Sequence, residues 1–182
     1  AQPIAGTQLT AMAQYILLFF LYGQAGIYYS KMEISKQLDI SLMNVSRGVQ
    51  ELEELGLVTT KKKGRSSMVA ANYDRKNLYE QAKPYLRNPV QKCIYVKKQQ
   101  WLLDLPTAGS EALYTLKETT DRVTHPVRAI EKKIYLEHAE EIESIDPAWD
   151  TRTDYVELEV WRYDPDRFSQ ESIVDSLSLA LS

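Results

Sequence analysis

Residues 30–74 read SKMEISKQLDISLMNVSRGVQELEELGLVTTKKKGRSSMVAANYD, and the order of elements in this run decides the fold. Ser30 followed by Glu33 has capping-box spacing, so a helix is expected to start at Lys31. That helix is short and ends near Leu38. Ile40 falls in a turn, and Ser41 can cap a second helix through its hydroxyl. In the second helix Val45, Val49, Leu52 and Leu55 recur at helical spacing and form a stripe for burial. Gly56 suits a left-handed stop. Residues 57–60 (LVTT) read as a strand and Lys61-Lys62-Lys63-Gly64-Arg65 as a basic turn. Residues 67–73 read as a second strand, which completes a hairpin.

Helix, tight turn, helix and basic hairpin in this order spell a winged helix-turn-helix. The second helix is narrow enough for a major groove, and its start can meet base edges. Opposite the apolar stripe lie Met43, Asn44, Arg47 and Gln50. Asn and Gln can pair bidentately with adenine, and Arg with guanine. The expected DNA-binding set is Ser41, Met43, Asn44, Ser46, Arg47, Gln50, Lys61, Lys62, Lys63 and Arg65. Within it Asn44, Arg47 and Gln50 are expected to read bases. Ser41 and the four wing cations are expected to hold phosphates. Winged helices also serve as protein-binding modules, which is one alternative. A solvated charge run is the bland reading of residues 61–65.

The stretch resembles the winged-helix family of bacterial transcriptional regulators, the MarR-like and related groups. The resemblance rests on Glu33-Ile34-Ser35-Lys36-Gln37-Leu38, Val45-Ser46-Arg47 and Leu52-Glu53-Glu54-Leu55-Gly56-Leu57-Val58, and covers about the first half of the chain. It implies operator binding, usually as a homodimer, with double-stranded DNA as the partner. After the wing no long helical pair follows to form a dimer stalk. By the same resemblance residues 11–22 (AMAQYILLFFLY) become the first helix of the winged domain. A helix is expected over residues 7–23. Its apolar residues run almost all round, which predicts a second buried face against the C-terminal half or a partner subunit.

The bulk numbers fit a soluble protein with one domain or two small ones. The chain has 182 residues, 44% hydrophobic and 26% charged, with a net charge of −3. The charge is unevenly placed. Residues 1–87 hold 11 Lys and Arg against 7 Asp and Glu, and residues 88–182 hold 11 against 18. A basic half of net +4 beside an acidic half of net −7 suits a DNA-binding module joined to one that does not bind DNA. The expected boundary is Asn88-Pro89, a turn signal, giving domains 1–87 and 88–182. The apolar run 11–22 is too short for a bilayer, and neither a basic leader nor a clean cleavage pattern flanks it. A cytoplasmic protein without membrane contact is expected. The chain opens on Ala and stops within an apolar pattern, as a processed or trimmed chain would.

The second half alternates, and a small α+β domain is expected there, so the fold class is α+β overall. Residues 75–86 begin as a helix after Asp74, and Pro84 kinks or ends it. Residues 90–97, 127–134 and 155–163 read as strands, and residues 111–118 and 170–181 as helices. Residues 135–142 either continue the second of those strands or form a short helix. Residues 27–29 can add a third strand to the wing. This half resembles C-terminal domains of abortive-infection-type antitoxin regulators, through Ala108-Gly109-Ser110-Glu111-Ala112-Leu113, Val160-Trp161-Arg162-Tyr163-Asp164-Pro165 and Val174-Asp175-Ser176-Leu177-Ser178-Leu179. That resemblance implies an alternative function, an autorepressing antitoxin that neutralises a toxin through this half.

No catalytic constellation stands out, and neither enzyme activity nor a cofactor is expected. His125 and His138 are the only histidines and lack zinc spacing. The acids around His138 read as a solvated face, and Asp146, Asp150, Asp164 and Asp166 as turn formers rather than a Mg²⁺ site. Ser110 lacks a nucleophile-elbow context and is expected to cap a helix. Cys93, the single cysteine, rules out an internal disulfide, fits a reducing compartment and is expected to be buried and inert. Trp101, Trp149 and Trp161 read mostly as core, with a protein contact or small ligand at the C-terminal domain as the alternative.

Overall fold

The computed structural model describes residues 7–182, which divide into two compact units between Arg87 and Asn88. In the first unit the elements run α1 (Ala11–Tyr22), β1 (Tyr29–Ser30), α2 (Lys31–Leu38), α3 (Leu42–Glu54), β2 (Val58–Lys63), β3 (Ser66–Ala71) and α4 (Arg75–Ala82). Three of these helices start on the side chain that the sequence supplies. Ser30 Oγ accepts from the Glu33 N–H at 3.0 Å, Ser41 Oγ from Asn44 at 3.1 Å and Asp74 Oδ1 from Asn77 at 2.9 Å. Each bond satisfies a donor that the helix start leaves open.

The turn between α2 and α3 is built by Asp39 in the left-handed region, φ 52°. Ser35 Oγ donates to the Ile40 carbonyl at 2.6 Å and fixes the exit angle. Gly56, at φ 73°, stops α3, and the Leu57 N–H reaches back to the Leu52 carbonyl at 3.0 Å. Ile34, Leu38, Val45, Val49 and Leu52 are buried together with Ile16, Leu17 and Leu18 of α1. Leu55 is only half-buried, at the frayed end of the stripe.

Helix α1 is shorter than the expected 7–23, because Thr10 caps it by accepting from the Ala13 N–H at 3.3 Å. Its buried residues face nearly all directions, and α2, α3 and α4 all lie against it. The second face thus meets α4 of the same unit. Gln14 clamps this packing, donating to the Arg87 carbonyl at 2.9 Å and accepting from the Arg87 N–H at 2.8 Å. Pro84 sits in a 3-10 turn, Lys83–Tyr85, that ends α4.

The three wing strands pair antiparallel in the order β1-β3-β2. The expected five-residue basic turn is corrected. Lys61, Lys62 and Lys63 belong to β2 and pair with Met68, Ser67 and Ser66. Only Gly64 and Arg65 turn the chain, with Gly64 at φ 66°. A two-residue turn led by such a glycine matches the strand twist, so the ladder extends to Lys63.

In the second unit β4 (Val90–Lys97), β5 (Val127–Glu131) and β6 (Tyr155–Trp161) form a sheet in the order β4-β6-β5. The pair β4–β6 is antiparallel and the pair β5–β6 parallel. Short helices α5 (Gln100–Leu103), α6 (Gly109–Thr115), α7 (Lys132–Glu137) and α8 (Ser176–Leu181) surround it. One face of the sheet packs Val96, Ile130, Val156, Leu158 and Val160 with Leu102.

Four expectations are corrected here. Residues 127–134 do not stay extended: Glu131 is the last strand residue and α7 follows at once. Residues 170–181 are helical only from Ser176, where Asp175 caps by accepting from the Ser178 N–H at 2.9 Å. Before it Glu171 and Ser172 are left-handed, at φ 50° and 61°, and Gln170 bridges to Ile173. Ser110 does not cap α6; Ala108 stands at that position and makes no side-chain cap bond. The turn is tied to β5 instead, because Glu111 accepts from the Val127 N–H at 2.7 Å and from Arg128 Nη1 at 2.8 Å. Cys93 is exposed rather than buried, since its position in β4 pairs with Glu159 away from the Leu158 core face.

Candidate nucleic-acid interface

Helix α3 buries Val45, Gly48, Val49 and Leu52 on one side. A helix turns roughly 100° per residue, so Met43, Arg47 and Gln50 fall within about 60° of one another on the opposite side. All three are exposed. Asn44 and Ser46 are half-buried on the two flanks, so Asn44 departs from the expected position opposite the stripe. It lies about a quarter-turn from Met43. Ser41 stands exposed at the helix start. Its oxygen already accepts the capping bond, which leaves its hydroxyl hydrogen free to donate.

The acids of α3 gather at its far end and are engaged there. Glu51 accepts from the Thr10 N–H at 2.8 Å and from the Thr10 hydroxyl at 2.7 Å. Glu53 accepts from the Thr60 N–H at 3.3 Å, which joins the helix to the wing. Glu54 takes Gln50 Nε2 at 3.4 Å. Asn72 donates to the Gly56 carbonyl at 2.8 Å and braces the other wing strand. The end of α3 and the wing are thus fixed relative to each other by side chains within the unit.

Arg47, Lys61, Lys62, Lys63 and Arg65 are all exposed. None of them forms a salt bridge among the described residues. Lys61 alone has a partner, the ring of Tyr28, with Nζ 5.4 Å from the centroid. Tyr28 is a residue that reading the sequence as a wing strand passed over. The signal lay in the pair Tyr28-Tyr29. Tyr29 packs edge-on against Phe19 and Phe20, at 4.8 and 6.1 Å between ring centres, so its strand neighbour must face out.

The chemistry-bearing residues of the second unit form no such array. His125 Nε2 lies 3.4 Å from Glu157 and its ring 5.1 Å from that of Tyr155. His138 stacks on Trp101 at 5.1 Å and sits 3.3 Å from Glu141. Asp146 and Asp164 accept backbone N–H groups of their own turns, at 3.0 and 2.8 Å. Among the described residues no group of three or more His, Cys, Asp or Glu is arranged to hold a metal ion. Cys93 is held protonated: although the residue is exposed, partial desolvation of its sulfur and the nearby carboxylates of Glu157 and Glu159 push its thiol up to about 12. Trp161 is fully buried and Trp149 is 87% exposed, so the tryptophans split between core and surface.

Residues 7–66 match the model of the MarR family. No curated protein matches the chain. Among solved structures, a MarR-family transcriptional regulator from Rhodococcus sp. RHA1 aligns at 21% identity and a TM-score of 0.33, covering 41% of this chain and 52% of that one. Lactococcus lactis ZitR, described as a zinc-responsive MarR family member, aligns at 16% identity and a TM-score of 0.33, covering 47% and 58%. ZitR in complex with DNA aligns at 15% and 0.33, covering 47% and 57%. The chain thus spans a little over half the length of the structures it matches.

Proposed function

We propose that the chain is a sequence-specific DNA-binding transcriptional regulator, a reading that the match of residues 7–66 to the MarR family model supports. The observation that carries this reading is the set of five exposed cations without acidic partners among the described residues, one on the outer face of α3 and four on the wing. Arg47 and Gln50 read base edges from α3, with Asn44 at the flank and Met43 offering an apolar contact. Ser41, Ser46, Lys61, Lys62, Lys63 and Arg65 hold the backbone on either side. Binding is to double-stranded DNA, and two copies of the chain engage two half-sites. The acidic unit serves as the contact for a protein or small ligand. None of the matches speaks for the antitoxin alternative.

No catalytic step and no cofactor are assigned, and the site of action is the cytoplasm. Among the described residues no helix is long and apolar enough to cross a membrane. Selection of bound duplexes from a random pool tests the reading. The expected result is one enriched motif, repeated about 34–36 Å apart along the helix axis if two copies bind. Affinity should fall steeply with salt, as release of counterions requires. A pool without enrichment, together with binding indifferent to salt, refutes it.

A further inference from the structure

Lys61 is exposed but its ammonium is not unguided. It lies over the Tyr28 ring at 5.4 Å. Tyr28 immediately precedes β1, and β3 separates β1 from β2. Lys61 pairs in register with Met68 of β3, so its side chain extends across that strand to reach the ring. Tyr28, Met68, Lys61, Lys62 and Lys63 enclose a shallow recess of about 240 Å³. A ring, a thioether and the three lysines line it, with no carboxylate among the lining residues. Strand alternation puts Lys61 and Lys63 of β2 on the same face of the sheet as Met68. Tyr28 is 41% exposed while Tyr29 beside it packs into the aromatic core, so the Tyr28 ring is not there to fill the interior.

A free lysine spreads over many rotamers and loses that freedom when it grips an anion. An aromatic face within about 6 Å attracts the ammonium and narrows the spread beforehand. The preorganised cation then binds with less loss. Resting on the DNA reading above, we infer that Tyr28 is a positioning residue of the wing. It holds the Lys61 ammonium over the recess, where one phosphodiester of the DNA backbone seats between Lys61 and Lys63, which share a face of β2. The phenol hydroxyl is not needed for this, since the ring face supplies the attraction.

Fluorescence anisotropy of a labelled random-sequence duplex with the full chain, titrated over a series of salt concentrations, tests it. Tyr28→Phe, Tyr28→Leu, Lys61→Ala and the double variant Tyr28→Leu/Lys61→Ala are compared at a temperature where circular dichroism shows each one folded. Tyr28→Phe should bind as the parent does. Tyr28→Leu should weaken binding about two- to fivefold. Lys61→Ala should weaken it at least as much and flatten the log–log salt slope by about 0.9. In the Lys61→Ala background, Tyr28→Leu should have almost no further effect, because it acts through the lysine. Equal losses in both backgrounds, or no loss from Tyr28→Leu, overturn the inference. A parent chain that binds no duplex overturns the DNA reading and this inference with it. A parent that binds while Lys61→Ala is silent overturns this inference alone.

Discussion

Arg47 stands on the side of α3 away from the core, next to neither Glu51, Glu53 nor Glu54 in any ion pair. A guanidinium so placed can lie flat against the acceptor edge of guanine, with two parallel N–H bonds. Arg47→Ala should therefore cost about 1–3 kcal/mol on the selected motif and relax preference at one base pair. Competition titrations against single-base variants of the motif measure both; equal losses on motif and random DNA would assign Arg47 to phosphate instead. Glu159 tests a different kind of residue, a buried acid without a cationic partner among the described residues. Burial raises its carboxyl above the ordinary carboxylate value, and Glu157 adds to this. The indole of Trp161, donating at 3.0 Å, pulls the other way. The folded protein thus holds this proton more tightly than the unfolded chain. The stability it contributes is present below the unfolded value and is lost as pH rises through the folded value. Glu159→Gln keeps an oxygen for Trp161 and removes the charge. It should raise the melting temperature of the second unit at about pH 7 and leave it nearly unchanged at about pH 4. A variant that melts lower than the parent at neutral pH would mean the carboxylate is stabilised by something other than Trp161.

At the scale of elements, the helix pair and wing were legible because their signals are local. Ser30, Ser41, Asp74 and Gly56 each dictate a boundary through one backbone bond, and all four boundaries stand where those residues place them. Strands β4 and β6 were legible by alternation. Other boundaries depend on contacts that no local pattern carries. The strand at residues 127–131 is cut short at α7, and Gln170–Ile173 closes a turn where helical spacing of apolar residues suggested a helix. The exposed face of α3 followed from period, but Tyr28 needed the β1-β3-β2 order to be found beside Lys61. The wing makes the next prediction. Lys62→Ala/Lys63→Ala should weaken binding to motif and random DNA alike and flatten the log–log salt slope by up to about 1.8, roughly 0.9 per phosphate contact. An unchanged slope would take these two lysines out of the interface. Helix packing makes another. Gly48 is where α3 meets α1: a Cβ there would overlap Ile16 Cδ1 and approach Ala13 Cα at 3.5 Å. Gly48→Ala should cost about 1–3 kcal/mol by overpacking, despite the better helix propensity of alanine. Chemical denaturation should also show Ile16→Val, which deletes the clashing methyl, restoring part of the loss in the double variant. A Gly48→Ala chain as stable as the parent would show that Ile16 repacks freely.

At the scale of the whole chain, charge separates what the two units can do. The first carries net +4 and the second net −7. Phosphates attract the first and repel the second, and within a Debye length of about 10 Å that repulsion is not screened away. Helix α1 is packed from within the first unit. Helix α1 is enclosed by α2, α3 and α4, Gln14 ties its middle to Arg87, and the Leu9 N–H donates to the Tyr85 carbonyl at 2.8 Å. A fragment ending at Arg87 should therefore fold cooperatively with the helix content of its four helices. It should select the same motif from a random pool as the full chain. If two full-length copies dimerise through residues 88–182, the fragment should bind that motif more weakly and select single half-sites. Residues 88–182 alone should bind no duplex at any salt concentration. Trp149, 87% exposed in a turn whose N–H bonds are taken by Asp146, offers a probe of the second unit's role. Its replacement by alanine should leave the melting temperature and the DNA motif of the full chain unchanged, because it packs on nothing that DNA binding uses. If the acidic unit binds duplex DNA with steep salt dependence, or the fragment selects a different sequence from the full chain, the division of labour between the two units fails.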